Sequence, residues 1–158
     1  ASLTNGGNII QPFLIKRENK KTNKKLISKS TSENINKILR KVVTDKNGTA
    51  SLANINGYYV GGKTGTSQNY QNKKDNLNTF ISIFPSQKPK YALLVMLENP
   101  KVAKDLVYNY RGSKIKASRN EAGWNSVYVA GKIIEKIGPI LAIKSEDFNY
   151  QYVVEKTN

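Results

Sequence analysis

Apolar residues along the chain switch between two spacings, and the switches mark out its elements. Ile35, Ile38, Leu39 and Val42 recur at three- and four-residue intervals, as on one face of a helix. Ser30-Thr31-Ser32-Glu33 comes before them and predicts a capping box, with Ser30 as N-cap and Glu33 at the third helical position. Asn47-Gly48 is the expected stop, with Gly48 in the left-handed conformation after the last turn. Upstream, Asn8 to Arg17 holds Ile9, Ile10, Phe13, Leu14 and Ile15 and reads as an extended segment entered through Gly6-Gly7; Leu26-Ile27 reads as a further short strand. Downstream, three segments read as strands: Tyr58 to Thr66, interrupted by glycines; Thr79 to Phe84; and Tyr91 to Leu97, a continuous apolar run expected of a strand buried on both faces. Their connections, a polar loop at Asn69 to Asn76 and a turn at Pro85 to Pro89, are short enough to predict an antiparallel meander. Glu98 to Gly123 reads as a long loop. From about Asn125, Val127, Ala130, Ile134 and Ile137 predict an amphipathic helix that Gly138-Pro139 stops. The fold class is therefore α+β, an antiparallel sheet segment with flanking helices, over residues 1–143, with a polar tail at 144–158.

Composition narrows the chemistry. The 158 residues suffice for one domain with a core, and no apolar run approaches the roughly 18 residues that span a bilayer. The net charge of +15 comes almost wholly from lysine; only Arg17, Arg40, Arg111 and Arg119 are arginine. The lysines are spread among many Asn and Ile, so they read as compositional drift and a solvated surface. Attraction to an anionic membrane or wall polymer is the second reading, and nucleic acid is not an expected partner, since no recognition motif accompanies the charge. The absence of Cys and His excludes a cysteine nucleophile, a Ser-His-Asp triad within the chain and a Cys/His zinc site. No cofactor or metal is implied. The chain opens on Ala1 without an initiator Met and reads as a piece of something longer.

The octapeptide Gly61-Gly62-Lys63-Thr64-Gly65-Thr66-Ser67-Gln68 carries the candidate chemistry. On a strand, Gly65 lets a substrate backbone approach and pair as an added strand. Lys63 supplies a positive charge beside an acyl-transfer site, Thr64 and Thr66 offer hydroxyls to a carboxylate, and the Thr66 N–H is a candidate oxyanion donor. Lys63 and Thr66 are thus the candidate catalytic residues, and Thr64, Gly65 and Thr66 the candidate substrate-binding ones. Alternation puts Lys63 and Gly65 on one face and the threonines on the other, so one site can use all four only if the strand lies at a sheet edge.

Gly57-Tyr58-Tyr59-Val60 followed by this octapeptide, with Thr49-Ala50 before it, resembles the third active-site motif of the penicillin-binding proteins, as approached in class B enzymes. Leu3-Thr4-Asn5-Gly6-Gly7 with Gln11-Pro12 resembles the stretch that precedes it in that family. Phe80 to Phe84, Tyr91 to Leu97 and Glu98-Asn99-Pro100 follow in family order, and Ala122-Gly123-Trp124-Asn125 with Ala130-Gly131-Lys132 is most similar to the division-specific transpeptidases. The resemblance runs to about Ile143. It implies the C-terminal part of a transpeptidase domain of serine β-lactamase-like fold, in an enzyme that cross-links peptidoglycan stem peptides and is acylated by β-lactams.

The family works with three motifs, S-x-x-K, S-x-N and K-T-G, of which only the last maps onto this chain. Ser32-Glu33-Asn34 has the second form but lies in the capped helix, and Ser113-Lys114-Ile115-Lys116 has the first form but follows K-T-G, in a basic loop. The chain alone is therefore expected to be inactive, with its nucleophile in a missing N-terminal part of the same domain. The expected partners are a stem peptide or β-lactam, that missing part, divisome proteins and, through an uncovered sheet edge, a second copy. The implied location is the periplasmic face of the bacterial inner membrane, by way of an upstream anchor. A penicillin-sensing receptor or a serine β-lactamase with the same cleft is the alternative; a basic surface-binding domain with an accidental K-T-G is a further one. Trp124 reads as a packing anchor. Tyr108 and Tyr110 read as surface tyrosines, or as the mouth of a cleft.

Overall fold

The computed structural model describes residues 1–10, 14–15, 24–68 and 76–143. Its centre is a three-stranded antiparallel meander of β1 (Gly61–Gln68), β2 (Asn76–Phe84) and β3 (Tyr91–Glu98), in the order β1-β2-β3. Lys63 stands opposite Ile81 and Ile81 opposite Leu94, while Thr64 stands opposite Phe80 and Phe80 opposite Val95. The meander and the α+β class follow the sequence reading. The glycine-interrupted strand begins later than its aromatic content suggests, since Tyr58 to Val60 lie outside it.

The two faces of this sheet differ. One carries Phe80, Phe84 and Val95 and packs on α2 (Ser126–Ile143), whose Val127, Ala130 and Ile134 are fully buried. The other carries Ile81, Leu94 and Met96, which remain 51%, 55% and 54% exposed. The apolar run at Tyr91 to Leu97 is therefore buried on one face only. Its composition reads as two-sided, yet among the described residues nothing covers the second face over Leu94 and Met96. The α2 helix also runs through Gly138-Pro139 to Ile143 instead of stopping there. Pro139 leaves the Glu135 carbonyl, four residues back, without its helical donor, at an exposed position of the helix. Gly138 is needed for packing, because a Cβ there would lie 2.3 Å from the Tyr58 ring.

The α1 helix (Lys29–Thr44) is capped by Ser28, not Ser30: Ser28 has extended backbone, and its hydroxyl accepts from the Thr31 N–H at 3.0 Å. Its buried positions are Ser32, Asn36 and Val43, whereas Ile38 is 62% exposed. The polar half of that stripe packs on backbone. Ser32 donates to the Leu3 carbonyl at 2.7 Å and accepts from the Gly6 N–H at 3.0 Å, and Asn36 donates to the Thr4 carbonyl at 3.0 Å. Ser32 is thus fully used as a structural tie. Helix α1 ends at Thr44, and Gly48 does not adopt a left-handed conformation. Its glycine is required because a Cβ would lie 2.3 Å from the Val42 carbonyl oxygen.

The segment read as one long loop holds a hairpin, β4 (Val107–Tyr110) and β5 (Ser113–Lys116). Arg111 and Gly112 both have positive φ (54° and 83°), the backbone of a tight two-residue hairpin turn. Ser113 to Lys116 is therefore strand, not loop. Trp124 does anchor this region: its ring lies 5.6 Å from Tyr108 and 5.0 Å from Tyr110, and Tyr108 also meets Tyr128 at 5.0 Å. Tyr108 is only 3% exposed, so it is a core residue and lines no cleft mouth. Burial raises its phenol pKa above the ordinary range, with a smaller contribution from Tyr128. Near the N-terminus, Asn8 and Lys25 form a single bridge, and Leu26-Ile27 bends without becoming a strand. Half of the extended segment read at Asn8 to Arg17, the loop at 69–75 and the tail at 144–158 lie outside the described residues.

Candidate active site

Strand β1 is an edge strand, paired only with β2 among the described residues, so its outer side is open to an added strand. Two devices hold it in place. At its start, Gly61 lies against the α1 backbone, 3.2 Å from Arg40 N if a Cβ is built, and the Gly62 position touches the Phe80 ring. Arg40 reaches from α1 to donate to the Val60 carbonyl at 2.6 Å and to Asn54 Oδ1 at 3.0 Å, over the Tyr59 ring. Burial lowers the Arg40 pKa from its usual value.

Alternation then distributes the motif residues. Thr64 and Thr66 share the face of Phe80, while Lys63 and Gly65 share the face of Ile81 and Thr79. Lys63 is exposed, and its ammonium turns along the strand to donate to the Thr64 carbonyl at 2.7 Å. Gly65 has a neighbour that explains its missing Cβ within the fold itself: a Cβ would lie 2.6 Å from Thr79 Oγ1, which donates to the Gly65 carbonyl at 3.3 Å.

The threonine hydroxyls are not loose. Thr64 Oγ1 lies 2.9 Å from Thr49 Oγ1, and Thr66 Oγ1 accepts from the Ala122 N–H at 3.2 Å. The segment carrying Ala122 is fixed by a group of asparagines. Asn120 accepts from Asn78 Nδ2 at 3.3 Å and from Asn125 Nδ2 at 3.0 Å, and donates to the Pro100 carbonyl. Reading the sequence missed Thr49 and this asparagine group as site supports. Thr49-Ala50 does stand in the motif stretch, but nothing in its spacing signals that its hydroxyl meets Thr64. The contact arises because the chain after α1 turns back across β1.

The profile of the penicillin binding protein transpeptidase domain matches residues 1–122. The chain is similar to the probable peptidoglycan D,D-transpeptidase FtsI of Caulobacter vibrioides, 29% identical over 90% of this chain and 25% of that protein. It is similar to the peptidoglycan D,D-transpeptidase FtsI homolog of Mesostigma viride, 31% identical over 74% of this chain and 24% of that protein. Among solved structures, the transpeptidase domain of the FtsI4 D,D-transpeptidase from Legionella pneumophila superposes with a TM-score of 0.58, at 27% identity, over 85% of this chain and 41% of that one. The chain thus spans about a quarter of the length of these curated relatives.

Proposed function

The chain belongs to the penicillin-binding protein transpeptidase family, and on that premise we propose that it forms the K-T-G wall of a serine D,D-transpeptidase site completed by another part of the same protein. The observation that carries this reading is the edge strand with its motif hydroxyls held on one face and its ammonium on the other. A stem peptide lies along β1 as an added strand. Thr64 and Thr66 donate to its terminal carboxylate, and the Thr66 N–H is one of the two oxyanion donors.

In the assembled site a serine outside this chain attacks the penultimate D-Ala carbonyl carbon, and its proton leaves through neighbouring basic groups. The tetrahedral oxyanion collapses, the C–N bond breaks, and the terminal D-Ala departs carrying a proton. An amine on a neighbouring stem peptide then attacks the acyl-enzyme ester carbonyl; the C–N bond forms, the C–O bond to the serine breaks, and a proton given up by the amine passes to the serine oxygen. Lys63 contributes positive charge and supports the proton transfer. Its face of the sheet is also the one on which Ile81, Leu94 and Met96 stay exposed, which suits the docking of the serine-bearing half there. Without that half the chain is inactive, and its uncovered apolar face and the β3 edge, unpaired among the described residues, bring copies together. The enzyme works at the periplasmic face of the bacterial inner membrane, with divisome proteins as partners; among the described residues no helix is long and apolar enough to cross a membrane.

The test is labelling of the full-length protein with a fluorescent penicillin. The unaltered protein forms a covalent adduct, and Lys63→Ala lowers its rate of formation by at least about 100-fold. Labelling that survives Lys63→Ala at full rate contradicts the assignment.

A further inference from the structure

We propose that Thr49 is a positioning residue that turns the Thr64 hydroxyl into a committed donor toward a ligand carboxylate. The proposal rests on the reading of Thr64 as a carboxylate binder. A hydroxyl has one proton and two lone pairs. When Thr64 gives its proton to a carboxylate, the 2.9 Å line between Thr64 Oγ1 and Thr49 Oγ1 must be filled by the Thr49 proton. Thr66 shows the same design in a fixed form. The Ala122 N–H can only donate, so Thr66 Oγ1 accepts from behind and its own proton points elsewhere. Each motif hydroxyl thus has a donor at its back. Ala122 fixes its partner permanently, whereas the Thr49–Thr64 pair is reversible and takes one direction when the carboxylate arrives. Donation into a hydroxyl that itself donates to an anion strengthens both bonds.

Thr49 is held for this task on every side that the fold offers. The Arg111 guanidinium at the hairpin turn donates to the Asp45 carbonyl at 3.1 Å and to the Gly48 carbonyl at 2.9 Å, pinning the residue before it. The residue after it is tied by the Ala50 N–H to the Val42 carbonyl at 3.1 Å. Gly123 lies against its carbonyl, where a Cβ would sit 2.7 Å from the Thr49 oxygen. The β4–β5 hairpin therefore acts on the site through Gly48 and Thr49.

The experiment compares acylation of the full-length protein by a penicillin with a free carboxylate and by its methyl ester. Thr49→Val keeps the side-chain shape and removes the donor. It slows acylation by the free acid roughly tenfold and by the ester less than about twofold. Thr49→Ser restores the acid rate, and Thr49→Ala reproduces the acid-selective loss of Thr49→Val. A merely structural role slows acid and ester alike, and that result overturns the proposal, as does an unchanged acid rate in both donor-free variants. No adduct on the unaltered protein overturns the carboxylate reading itself, and with it the relay. A normal adduct there, with an unselective loss in Thr49→Val, overturns the relay alone.

Discussion

The two faces of the β1-β2-β3 sheet are finished to different degrees. On the Phe80 face, α2 closes the core, and Thr64 and Thr66 both have hydrogen-bond partners behind them. On the Lys63 face, α1 covers only the Gly61 end, and Ile81, Leu94 and Met96 meet solvent. A monomeric domain seldom leaves such a row uncovered beside a motif lysine. The difference teaches how the site is divided. On the proposed reading, the part that orients a ligand carboxylate lies within this chain, while the part that does chemistry on the neighbouring carbonyl needs a second surface laid against the open face.

The strongest way to break the closed face is through its centre. Phe80→Ala empties a fully buried position and is expected to cost about 3–5 kcal/mol in denaturant unfolding of the domain. A loss below about 1 kcal/mol contradicts the core described above. Next comes Gly62→Ala, whose Cβ would lie 2.5 Å from the Phe80 ring. Overpacking there costs about 1–3 kcal/mol and loosens the motif strand, so it also slows penicillin acylation in the full-length protein.

The open face sharpens the contrast by responding differently in two settings. Changing Leu94 and Met96 together to Lys is expected to alter the stability of the isolated chain by less than about 0.5 kcal/mol, because both are already in water. The same pair weakens self-association of the chain in sedimentation and abolishes labelling in the full-length protein. A large loss of stability in the isolated chain would show that this face is covered after all.

The smallest effect is alkaline. Tyr108 is buried neutral and its pKa is raised in the fold, so its contribution is fully present below the ordinary tyrosine range and is lost as pH rises through the higher folded value. Its phenol absorbance must therefore titrate later than that of an exposed tyrosine. Titration in the ordinary range contradicts the packing of Tyr108 between Trp124 and Tyr128.

How far the fold was legible follows the same division. The helical spacing of Val127, Ala130 and Ile134, with Phe80 and Val95 from the two apolar runs, reports directly on the closed core, and these five residues are buried. The β3 run misled because composition registers hydrophobicity, whereas burial depends on a partner that the sequence of this segment does not name. The S-x-x-E pattern points to Ser30 as cap, yet Ser28 carries the same hydroxyl, and its extended backbone places the cap there. The β4–β5 hairpin escaped notice since its strands are four residues long and its turn is Arg-Gly rather than Asn-Gly or Asp-Gly. At the site, Lys63, Thr64, Gly65 and Thr66 announce themselves by sequence adjacency. Thr49, Asn120 and Ala122 do not, because Thr49 and Ala122 reach the strand, and Asn120 reaches Asn78 beside it, only through tertiary contacts.

On the proposed reading, this chain holds the carboxylate-binding wall while the nucleophile lies elsewhere in the protein. Peptide mapping of the fluorescent penicillin adduct on the full-length protein tests it most directly. The adduct is expected on a serine outside residues 1–158, with no adduct on this chain by itself. A covalent adduct on any serine of this chain, Ser32 or Ser113 included, would contradict it.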